Sequence, residues 1–323
     1  TMSLYNDMVS NIERRKIRRE SGKFNAIPCP FPKLSEFYSG IEKGKYEMVT
    51  ANKKAGKTQF TDYMYVYHPV QFCMNNESDL DIEIHYLCLE MTKEQKMMQA
   101  MCHFLFVDSG GKIRVSPEDL RSKTKPLDQE VLDAIIKYEK FFLKYLDRVH
   151  YHDNYRSVSE IRKFTSELCQ KVDPKSEKIT ELILDHFSLV IPNRGQSVKQ
   201  AIDELSATVM VQARNLYKIN PVMVQQQAND KESFEAKKLN DLLPSFNGLS
   251  DSKDTARDVD VAMGIFSPYN AKMQMYSGVN VNAYKDNLRI LNIIGGREST
   301  GNKEVALYFD GAVSCFRELE RNQ

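Results

Sequence analysis

The sequence predicts an α/β fold whose mostly parallel sheet is flanked by helices on both faces. Apolar, β-prone runs alternate with longer helix-favouring segments, which is typical of parallel sheets. The last third of the chain instead contains β-prone runs without helices between them, which predicts antiparallel strands added at the C-terminal edge. The predicted strands are Glu47–Thr50, Ile82–Leu89, Leu182–Asp185, Pro221–Val224, Val261–Phe266, Leu288–Ile294, Glu304–Phe309 and Ser314–Leu319.

Helices are predicted between the first four of these strands. The second of them is rich in Met and Gln. The longest carries mixed charge and an apolar stripe that we interpret as core. The predicted helices are Gln59–Tyr67, Lys93–Phe106, Pro117–Tyr145, Val158–Val172 and Val198–Tyr217.

The N-terminal segment predicts an amphipathic helix over Leu4–Glu20, because Leu4, Met8 and Ile12 recur four residues apart. Such a helix packs either on its own domain or on a neighbouring subunit. Three prolines follow within residues 28–32 and favour an extended connector. We therefore expect a linker at about residues 21–34, which divides the chain into a helix with its proline-rich connector over 1–34 and a main domain over 35–323.

Composition narrows the functional class of the 323-residue chain. The sequence is 41% hydrophobic and 28% charged, with a net charge of +1, so any nucleic-acid contact must come from local patches. No apolar run is long enough for a membrane span or a signal peptide. The six cysteines form no C-x-x-C pair, which predicts reduced thiols in a cytoplasmic protein.

His150 and His152 form an H-x-H pair. Nothing nearby in the sequence completes a set of metal ligands, so we expect no metal site there.

The most informative motif is a strand, a loop and a helix around residues 46–67. A loop of this kind wraps a phosphate with backbone N–H groups, and the helix N-terminus adds its positive dipole end. The lysine of its Gly-Lys-Thr sequence reaches the β- and γ-phosphates, and the threonine hydroxyl holds Mg²⁺. The usual first glycine is an alanine here. The expected nucleotide-binding residues are Ala51, Asn52, Lys53, Lys54, Ala55, Gly56, Lys57, Thr58 and Gln59.

Three other predicted strands end in polar residues suited to phosphoryl transfer. Asp185 ends an apolar run of Walker B form, which places a carboxylate beside Mg²⁺. Glu90 is positioned to act as general base on the attacking water. Gln227 follows the fourth strand and is expected to sense the γ-phosphate. Because carboxyl ends of parallel strands share one edge of a sheet, we expect these side chains to meet there.

These motifs resemble those of DnaB-type replicative helicases. His85–Met98 resembles the family's apolar-Ser-Leu-Glu-Met segment and the Met-rich helix that follows it. Leu184–Leu189 is similar to Ile-Asp-Tyr-Leu-Gln-Leu, and Pro221–Asn229 to Pro-Val-x-x-Leu-Ser-Gln-Leu-Asn. Asp258–Asp260 matches the Asp-Ala-Asp before a late strand, and the family often begins its phosphate loop with Ala. The resemblance runs from about residue 4 to residue 319.

The resemblance implies a RecA-like P-loop motor domain in a shortened, phage-like form. It assigns the phosphate and Mg²⁺ roles to Lys57 and Thr58, and the catalytic carboxylate to Glu90. It assigns the Mg²⁺-associated acid to Asp185 and the γ-phosphate sensor to Gln227. The family also places a Lys-x-Arg in the adjacent subunit's ATP site.

Arg297 matches the arginine of that pair and would act as a finger in trans. Gly295 stands where the lysine is expected, which puts the strength of trans activation in question.

Two loops are the candidates for contact with nucleic acid in the central channel. The first is basic and glycine-bearing, and the second contains small polar residues beside a lysine, so both suit phosphate contacts. Ordinary solvated loops are the alternative. The candidate residues are Arg194, Gly195, Lys199, Asn247, Gly248, Ser250 and Lys253.

The expected function is that of a ring-forming, ATP- and Mg²⁺-dependent helicase that moves 5′ to 3′ on single-stranded DNA. A homo-hexamer with ATP between subunits, a primase or loader partner, and a bacterial or phage-infected cytoplasm follow from the resemblance. The alternatives are a RecA-like recombinase or loader without unwinding, and a degenerate structural subunit. The family's N-terminal helical domain is missing, which suggests a fragment or a shortened version. The segment between Glu90 and Asp185 is longer than the family pattern.

Overall fold

A central sheet of nine strands organises the part of the chain that the structure describes. The computed structural model describes residues 2–76, 79–228, 242–250, 252–298, 301 and 303–320. Asn229, the last residue of one motif, lies outside these ranges. The sheet strands, numbered along the chain, are β1 (Glu47–Ala51), β2 (Ile82–Cys88), β3 (Val149–His152), β4 (Ile179–Asp185), β5 (Asn220–Gln226), β6 (Val261–Phe266), β7 (Leu288–Gly295), β8 (Lys303–Asp310) and β9 (Cys315–Glu318).

The spatial order of the strands is β9-β8-β7-β6-β1-β5-β4-β2-β3. Strands β1 to β6 pair in parallel, and β7, β8 and β9 continue the sheet as antiparallel strands. The predicted mixed sheet is therefore confirmed. Register places Ala51 beside Gln226 and Cys88 beside Asp185, so the strand ends that carry the motifs lie on one edge. Two short ladders lie apart from the sheet and pair Ile27–Pro28 with Gly40–Ile41 and Met275–Tyr276 with Val279–Asn280.

Helices cover both faces of the sheet. Four of the described helices begin with a capping box, in which the hydroxyl of the cap residue accepts a bond from the backbone N–H three residues on, and the side chain there accepts one from the cap's own N–H. The cap residues are Thr92, Ser116, Ser157 and Ser197. The α-helices are α1 (Met2–Glu20), α2 (Lys57–Asp62), α3 (His68–Asn75), α4 (Lys93–Asp108), α5 (Pro117–Leu120), α6 (Gln129–Lys137), α7 (Glu139–Leu146), α8 (Val158–Lys171), α9 (Val198–Glu204), α10 (Val211–Tyr217) and α11 (Val281–Tyr284). Turns of π-helix over Tyr63–Tyr67 and Leu205–Met210 join α2 to α3 and α9 to α10.

Successive side chains of each central strand point to opposite faces of the sheet and pack into two separate hydrophobic cores. Val49 and Tyr86 belong to the core that includes residues of α2, α3 and α4. Met48 and Leu87, one residue away in sequence, belong to the core that includes residues of α8, α9 and α10. The period-two pattern of a strand buried on both faces explains this division.

The predicted long helix over Pro117–Tyr145 is wrong. The structure contains three helices there, because residues 121–128 leave the helix and a second break occurs at Tyr138. Pro126 disfavours helical backbone at the residue before it, and Asp128 precedes the first residue of α6. Strand β3, which the sequence did not predict, follows α7 and pairs with β2 at the edge of the sheet.

The N-terminal helix is held at its basic end. Arg18 donates a 2.6 Å bond to Asp79, and Arg14 and Arg15 form ion pairs with Glu177 and Glu42. Five large apolar side chains of this helix are exposed: Leu4, Tyr5, Met8, Ile12 and Ile17.

In the proline-rich connector, Phe31 and Leu34 are buried in the core shared with Phe60. The predicted domain division at residue 34 stays a prediction. Among the described residues, no helix has both the length and the apolar character that a membrane crossing requires.

Candidate nucleotide and nucleic-acid site

The phosphate loop connects β1 to α2 at the carboxyl edge of the sheet. Gly56 adopts φ +90°, a left-handed conformation that glycine takes without strain, immediately before α2 begins. The loop closes through a 3.3 Å bond from the Ala55 N–H to the Asn52 carbonyl. Lys57 and Thr58 therefore form the first turn of the helix, where the outward-directed backbone N–H groups and the helix dipole favour an anion.

A buried arginine supports this loop from below. Arg289 on β7 donates a 2.7 Å bond from Nε to the Ala55 carbonyl, and its guanidinium lies 4.7 Å from the centre of the Phe309 ring. A Cβ at Gly56 would meet that ring at 3.2 Å. Sequence reasoning missed Arg289, because nothing local to β7 signals a partner more than two hundred residues away.

Asp185 ends β4 within a buried polar cluster. Its Oδ2 accepts a 2.8 Å bond from the Tyr86 hydroxyl and lies 3.8 Å from Lys96 Nζ. Lys96 also pairs with Asp62 of α2 at 2.7 Å, so a single cation lies between two buried carboxylates. No local pattern predicted a role for this lysine, since lysine side chains are almost never fully buried unless they are paired.

The charges in this cluster set its protonation. Burial alone would raise the pKa of Asp185, but Lys96 and Lys57, with the Tyr86 and Thr58 hydroxyls, hold that pKa below its ordinary value. Burial likewise opposes the charge of Lys96, yet Asp62 and Asp185 raise the lysine's pKa. Both groups therefore stay ionised at neutral pH.

The donor set around Asp185 fits Mg²⁺. Asp185 Oδ1 is buried and has no hydrogen-bond partner among the described residues. Thr58 and Lys57 lie close enough to affect the pKa of the same carboxylate. A buried anionic oxygen beside a hydroxyl is the kind of oxygen-only environment that Mg²⁺ accepts together with phosphate and water ligands.

Glu90 lies two residues beyond β2, at the same edge. Its side chain is 58% exposed, and its Oε2 lies 3.7 Å from Nε2 of His186, the residue after Asp185. The backbone of Leu89 bonds to the Asp185 carbonyl at 2.9 Å, which fixes the separation between the two acidic positions. The Glu90 carboxylate is therefore exposed to solvent at the edge of the sheet where Asp185 ends β4.

Gln227 lies at the same edge but is buried. Its Nε2 donates to the Thr50 hydroxyl at 3.0 Å and to the Ser245 carbonyl at 3.1 Å. Its Oε1 accepts from the Ser245 N–H at 3.3 Å. The side chain therefore connects the strand before the phosphate loop to the second candidate DNA segment, and it does not project freely toward a γ-phosphate.

The two candidate DNA loops lie side by side. Lys199 of α9 pairs with Asp254 at 2.6 Å and with Asp203 at 2.8 Å, and the Ser252 hydroxyl bonds Asp203. Most of the predicted contact residues are exposed or half-buried. The exposed ones are Arg194, Gly195, Lys199, Asn247, Ser250 and Lys253.

Gly248 differs from these residues because it is buried. A Cβ there would come within 2.0 Å of Gln227 Oε1, and its carbonyl accepts a bond from the Ala228 N–H. Because Gly248 has no side chain, Gln227 can approach the backbone of the second candidate DNA loop closely.

Arg297 lies far from the phosphate loop of its own chain. Its N–H bonds to the Val259 carbonyl, just before β6, so it belongs to the amino edge of the parallel strands. Arg289, on the same antiparallel strand, touches Ala55 at the carboxyl edge. The six residue-to-residue steps from Arg289 to Gly295 span roughly 20 Å at about 3.3 Å per step. Arg297 is exposed, and Gly295 before it has φ +153°.

Comparisons with known proteins agree with this geometry. The family model described as DnaB-like helicase C terminal domain matches residues 26–318. None of the curated proteins matches the chain in sequence.

Solved structures match over nearly the whole chain. The structure titled "ATPase Domain of G40P" superposes with a TM-score of 0.72 at 16% identity, covering 97% of this chain and 98% of its own. "The Structure Of A DnaB-Like Replicative Helicase And Its Interactions With Primase" gives a TM-score of 0.69 at 16% identity, covering 98% of this chain and 67% of its own.

At 16% identity these two structures show the fold, and they confirm the predicted RecA-like architecture. The family model, which covers most of the chain, confirms the helicase interpretation, and no finding favours the recombinase or loader over it. The chain therefore belongs to the DnaB-like helicase C-terminal domain family, the nucleotide-binding motor of ATP-hydrolysing replicative DNA helicases.

Proposed function

We propose that this motor domain assembles head to tail into a ring, a homo-hexamer by family resemblance, with ATP bound between subunits. The observation that carries the proposal is the separation of Arg297 from the phosphate loop of its own chain. A finger roughly 20 Å away along β7 cannot reach that loop, but a neighbour in a head-to-tail arrangement could present it. The exposed apolar face of α1 supports the same assembly, since it offers a neighbour a surface that its own domain leaves uncovered.

Within each site we assign one role to each residue. Lys57 and the backbone N–H groups of residues 52–58 would hold the phosphates. Thr58 and Asp185 would hold Mg²⁺, which neutralises charge developing on the β- and γ-phosphates. Glu90 would accept a proton from the attacking water. Arg297 of the neighbouring subunit would stabilise charge on the transferred group.

Gln227 would report the state of the γ-phosphate to the DNA segment. Its contacts with Thr50 and Ser245 support this role, because a change on the nucleotide side alters the same hydrogen-bonded group that holds residues 245–249.

The two adjacent loops would follow the backbone of single-stranded DNA in the 5′ to 3′ direction. Their proposed contacts are Arg194, Gly195, Lys199, Asn247, Ser250 and Lys253. Such a motor would act in the cytoplasm of a bacterium or of a phage-infected bacterium, with a primase or loader as a possible partner.

ATP hydrolysis measured with and without single-stranded DNA tests this function. We expect DNA to stimulate hydrolysis and Glu90→Gln to lower the stimulated rate by about 10²–10⁴-fold, as for loss of a general base. Glu94→Gln is the matched control, because Glu94 is exposed in the first turn of α4. Unwinding of a forked duplex with a 5′ tail should follow the same pattern among the variants.

A hydrolysis rate that does not change with DNA, together with no strand displacement, would instead support the ATP-controlled loader.

The DNA loops are tested separately. Arg194→Ala and Lys253→Ala should each weaken binding and lower the salt dependence of the binding constant by about one ion. Lys137→Ala is the control, because Lys137 is exposed in the last turn of α6, a helix that belongs to neither loop. Equal losses in all three variants would contradict the assignment.

A further inference from the structure

The outer edge of the sheet carries a cluster of histidines that the helicase activity does not use. Register pairs His85 of β2 with His150 of β3. Because side chains alternate along a strand, Glu83 and His152 lie on the same face as these two histidines. The four residues line a cleft of about 640 Å³ with Tyr155 and Phe164.

The distances in this cluster match those of a metal site. Glu83 Oε1 lies 3.4 Å from His85 Nε2 and 3.4 Å from His150 Nε2. All three ligand atoms lie within 4.8 Å of one another. A tetrahedral ion with bonds of about 2.0–2.1 Å separates its ligands by roughly 3.3–3.4 Å. The distances from Glu83 Oε1 to the two histidine nitrogens already have that length.

The hydrogen bonds of His85 leave one nitrogen available. Its Nδ1 lies 3.3 Å from His152 Nε2, whereas its buried Nε2 has no hydrogen-bond partner among the described residues. If Nδ1 donates to His152, the lone pair is on Nε2 and faces Glu83 and His150. Metal-bound histidines usually donate their other ring N–H to a neighbouring group, which orients the ring.

The remaining contacts are compatible with coordination. Lys178 occupies the other carboxylate oxygen, with Nζ 2.7 Å from Glu83 Oε2, so Oε1 stays directed at the histidines. The His85 ring stacks on His150 with centroids 4.9 Å apart and makes an edge contact with Phe164. These contacts also allow a simple stacked cluster, which is the alternative that an experiment must exclude.

We propose that Glu83, His85 and His150 bind one divalent transition-metal ion such as Zn²⁺, with His152 as the orienting partner of His85. Imidazole ligands favour Zn²⁺ over Mg²⁺, so this site is chemically distinct from the oxygen-only site at Asp185. The fourth position opens into the cleft and would take water.

The metal would fasten a strand that is otherwise weakly held. Strand β3 has four residues and pairs with β2 alone among the described strands. It belongs to the long segment between Glu90 and Asp185, for which the sequence offered no role. A metal that bridges β2 and β3 would anchor this segment to the motor core.

The test is calorimetric titration of Zn²⁺ into chelator-treated, dialysed protein, in buffer with excess Mg²⁺ to occupy oxygen sites. We expect one ion per chain and a rise in the melting temperature. His150→Asn should weaken binding by more than 100-fold and remove the thermal shift. His152→Phe should weaken it by about 10–100-fold, as for loss of an orienting partner. His68→Asn is the control, because His68 bonds the Pro28 carbonyl away from the cluster.

Absorption of bound Co²⁺ gives a second readout that does not depend on stability. The intense visible bands of four-coordinate Co²⁺ should appear in the wild-type protein, disappear when Zn²⁺ is added, and be absent in Glu83→Gln. The proposal is overturned if the wild-type protein shows no saturable one-to-one binding. It is also overturned if His150→Asn binds as tightly as His68→Asn.

Discussion

The side-chain amide of Gln227 donates a 3.0 Å hydrogen bond to the Thr50 hydroxyl, one residue before the phosphate loop. The same amide nitrogen bonds the Ser245 carbonyl at 3.1 Å. One buried group therefore contacts both the strand that leads to the nucleotide and the segment proposed to hold DNA. This arrangement would connect the proposed nucleotide site to the proposed DNA segment through a single side chain.

Gln227→Ala should uncouple hydrolysis from DNA. The substitution removes both bonds, each worth about 1 kcal/mol with more lost where a buried partner stays unpaired, while the phosphate loop keeps its own contacts. We expect nucleotide affinity within about threefold of wild type and at least a tenfold loss of stimulation by single-stranded DNA. Nucleotide affinity is measured by hydrolysis against ATP concentration, and stimulation by hydrolysis against DNA concentration.

The neighbouring glutamine provides the control for that experiment. Gln226 is half-buried and pairs with Ala51 through its backbone, so Gln226→Ala removes a side chain of the same size. Stimulation retained in Gln227→Ala, or lost equally in both variants, would argue against the proposed coupling.

Arg297→Ala and Lys57→Ala subunits should complement each other. Each variant alone lacks one half of every shared site and should hydrolyse ATP at least 100-fold more slowly. A mixture contains junctions where an intact Lys57 faces an intact Arg297, so activity should return on mixing. Arg121→Ala, an exposed arginine at the end of α5, serves as control. Failure of the mixture to exceed its components would count against a finger supplied in trans.

Arg289→Met should weaken nucleotide binding without unfolding the domain. Methionine retains apolar contact with Phe309 but loses the bond to the Ala55 carbonyl. Hydrogen bonds from charged groups contribute about 1.5–3 kcal/mol, so we expect the KM for ATP to rise by roughly 10–100-fold. Arg317→Met is the matched control, because Arg317 lies over Tyr308 on the outermost strand and does not touch the loop. An unchanged KM in Arg289→Met would show that Arg289 does not support the phosphate loop for nucleotide binding.

Glu47 should make the free energy of unfolding fall as the pH rises from 4.5 to about 7. Burial raises the pKa of this carboxyl from 4.5 to about 7, although the Tyr65 and Tyr38 hydroxyls donate bonds to it at 2.6 and 2.9 Å. Between those values the folded protein holds a proton that the unfolded chain has released. Raising the pH therefore favours the unfolded chain, by about 3 kcal/mol in total, and the effect ends above the folded pKa.

Glu47→Gln removes this titration and provides the test. The free energy of unfolding of the variant, relative to wild type, should shift in favour of the variant by up to about 3 kcal/mol between pH 5 and pH 8. Urea unfolding at several pH values measures this difference. Parallel pH curves for the two proteins would show that Glu47 titrates normally.

The sequence was informative where a function depends on a short local pattern. Lys57, Asp185 and Gln227 follow apolar strands directly, and the parallel sheet brings the ends of those strands together. The long helix over Pro117–Tyr145 was wrong because helical periodicity continues across Pro126, while the backbone does not. Strand β3 was missed because its four residues include two histidines and adjoin polar residues.

Contacts between distant residues could not be predicted from the sequence. Lys96 and Asp62 lie 34 residues apart, and Arg289 and Ala55 lie 234 apart. Each of these pairs depends on a tertiary arrangement that no local pattern records. The same holds for Glu83, His85 and His150, since the H-x-H pair gains its neighbours only when β3 pairs with β2.

The placement of Ala55 and Arg297 at opposite edges of one sheet gives every copy of this chain a front and a back. In an open row of n such copies, the first phosphate loop and the last arginine would each have no counterpart, leaving n − 1 complete sites. Closing the row would add one more site at the seam, at the moment a strand becomes encircled. The number of complete ATP sites would then depend on whether the ring around the DNA strand is closed.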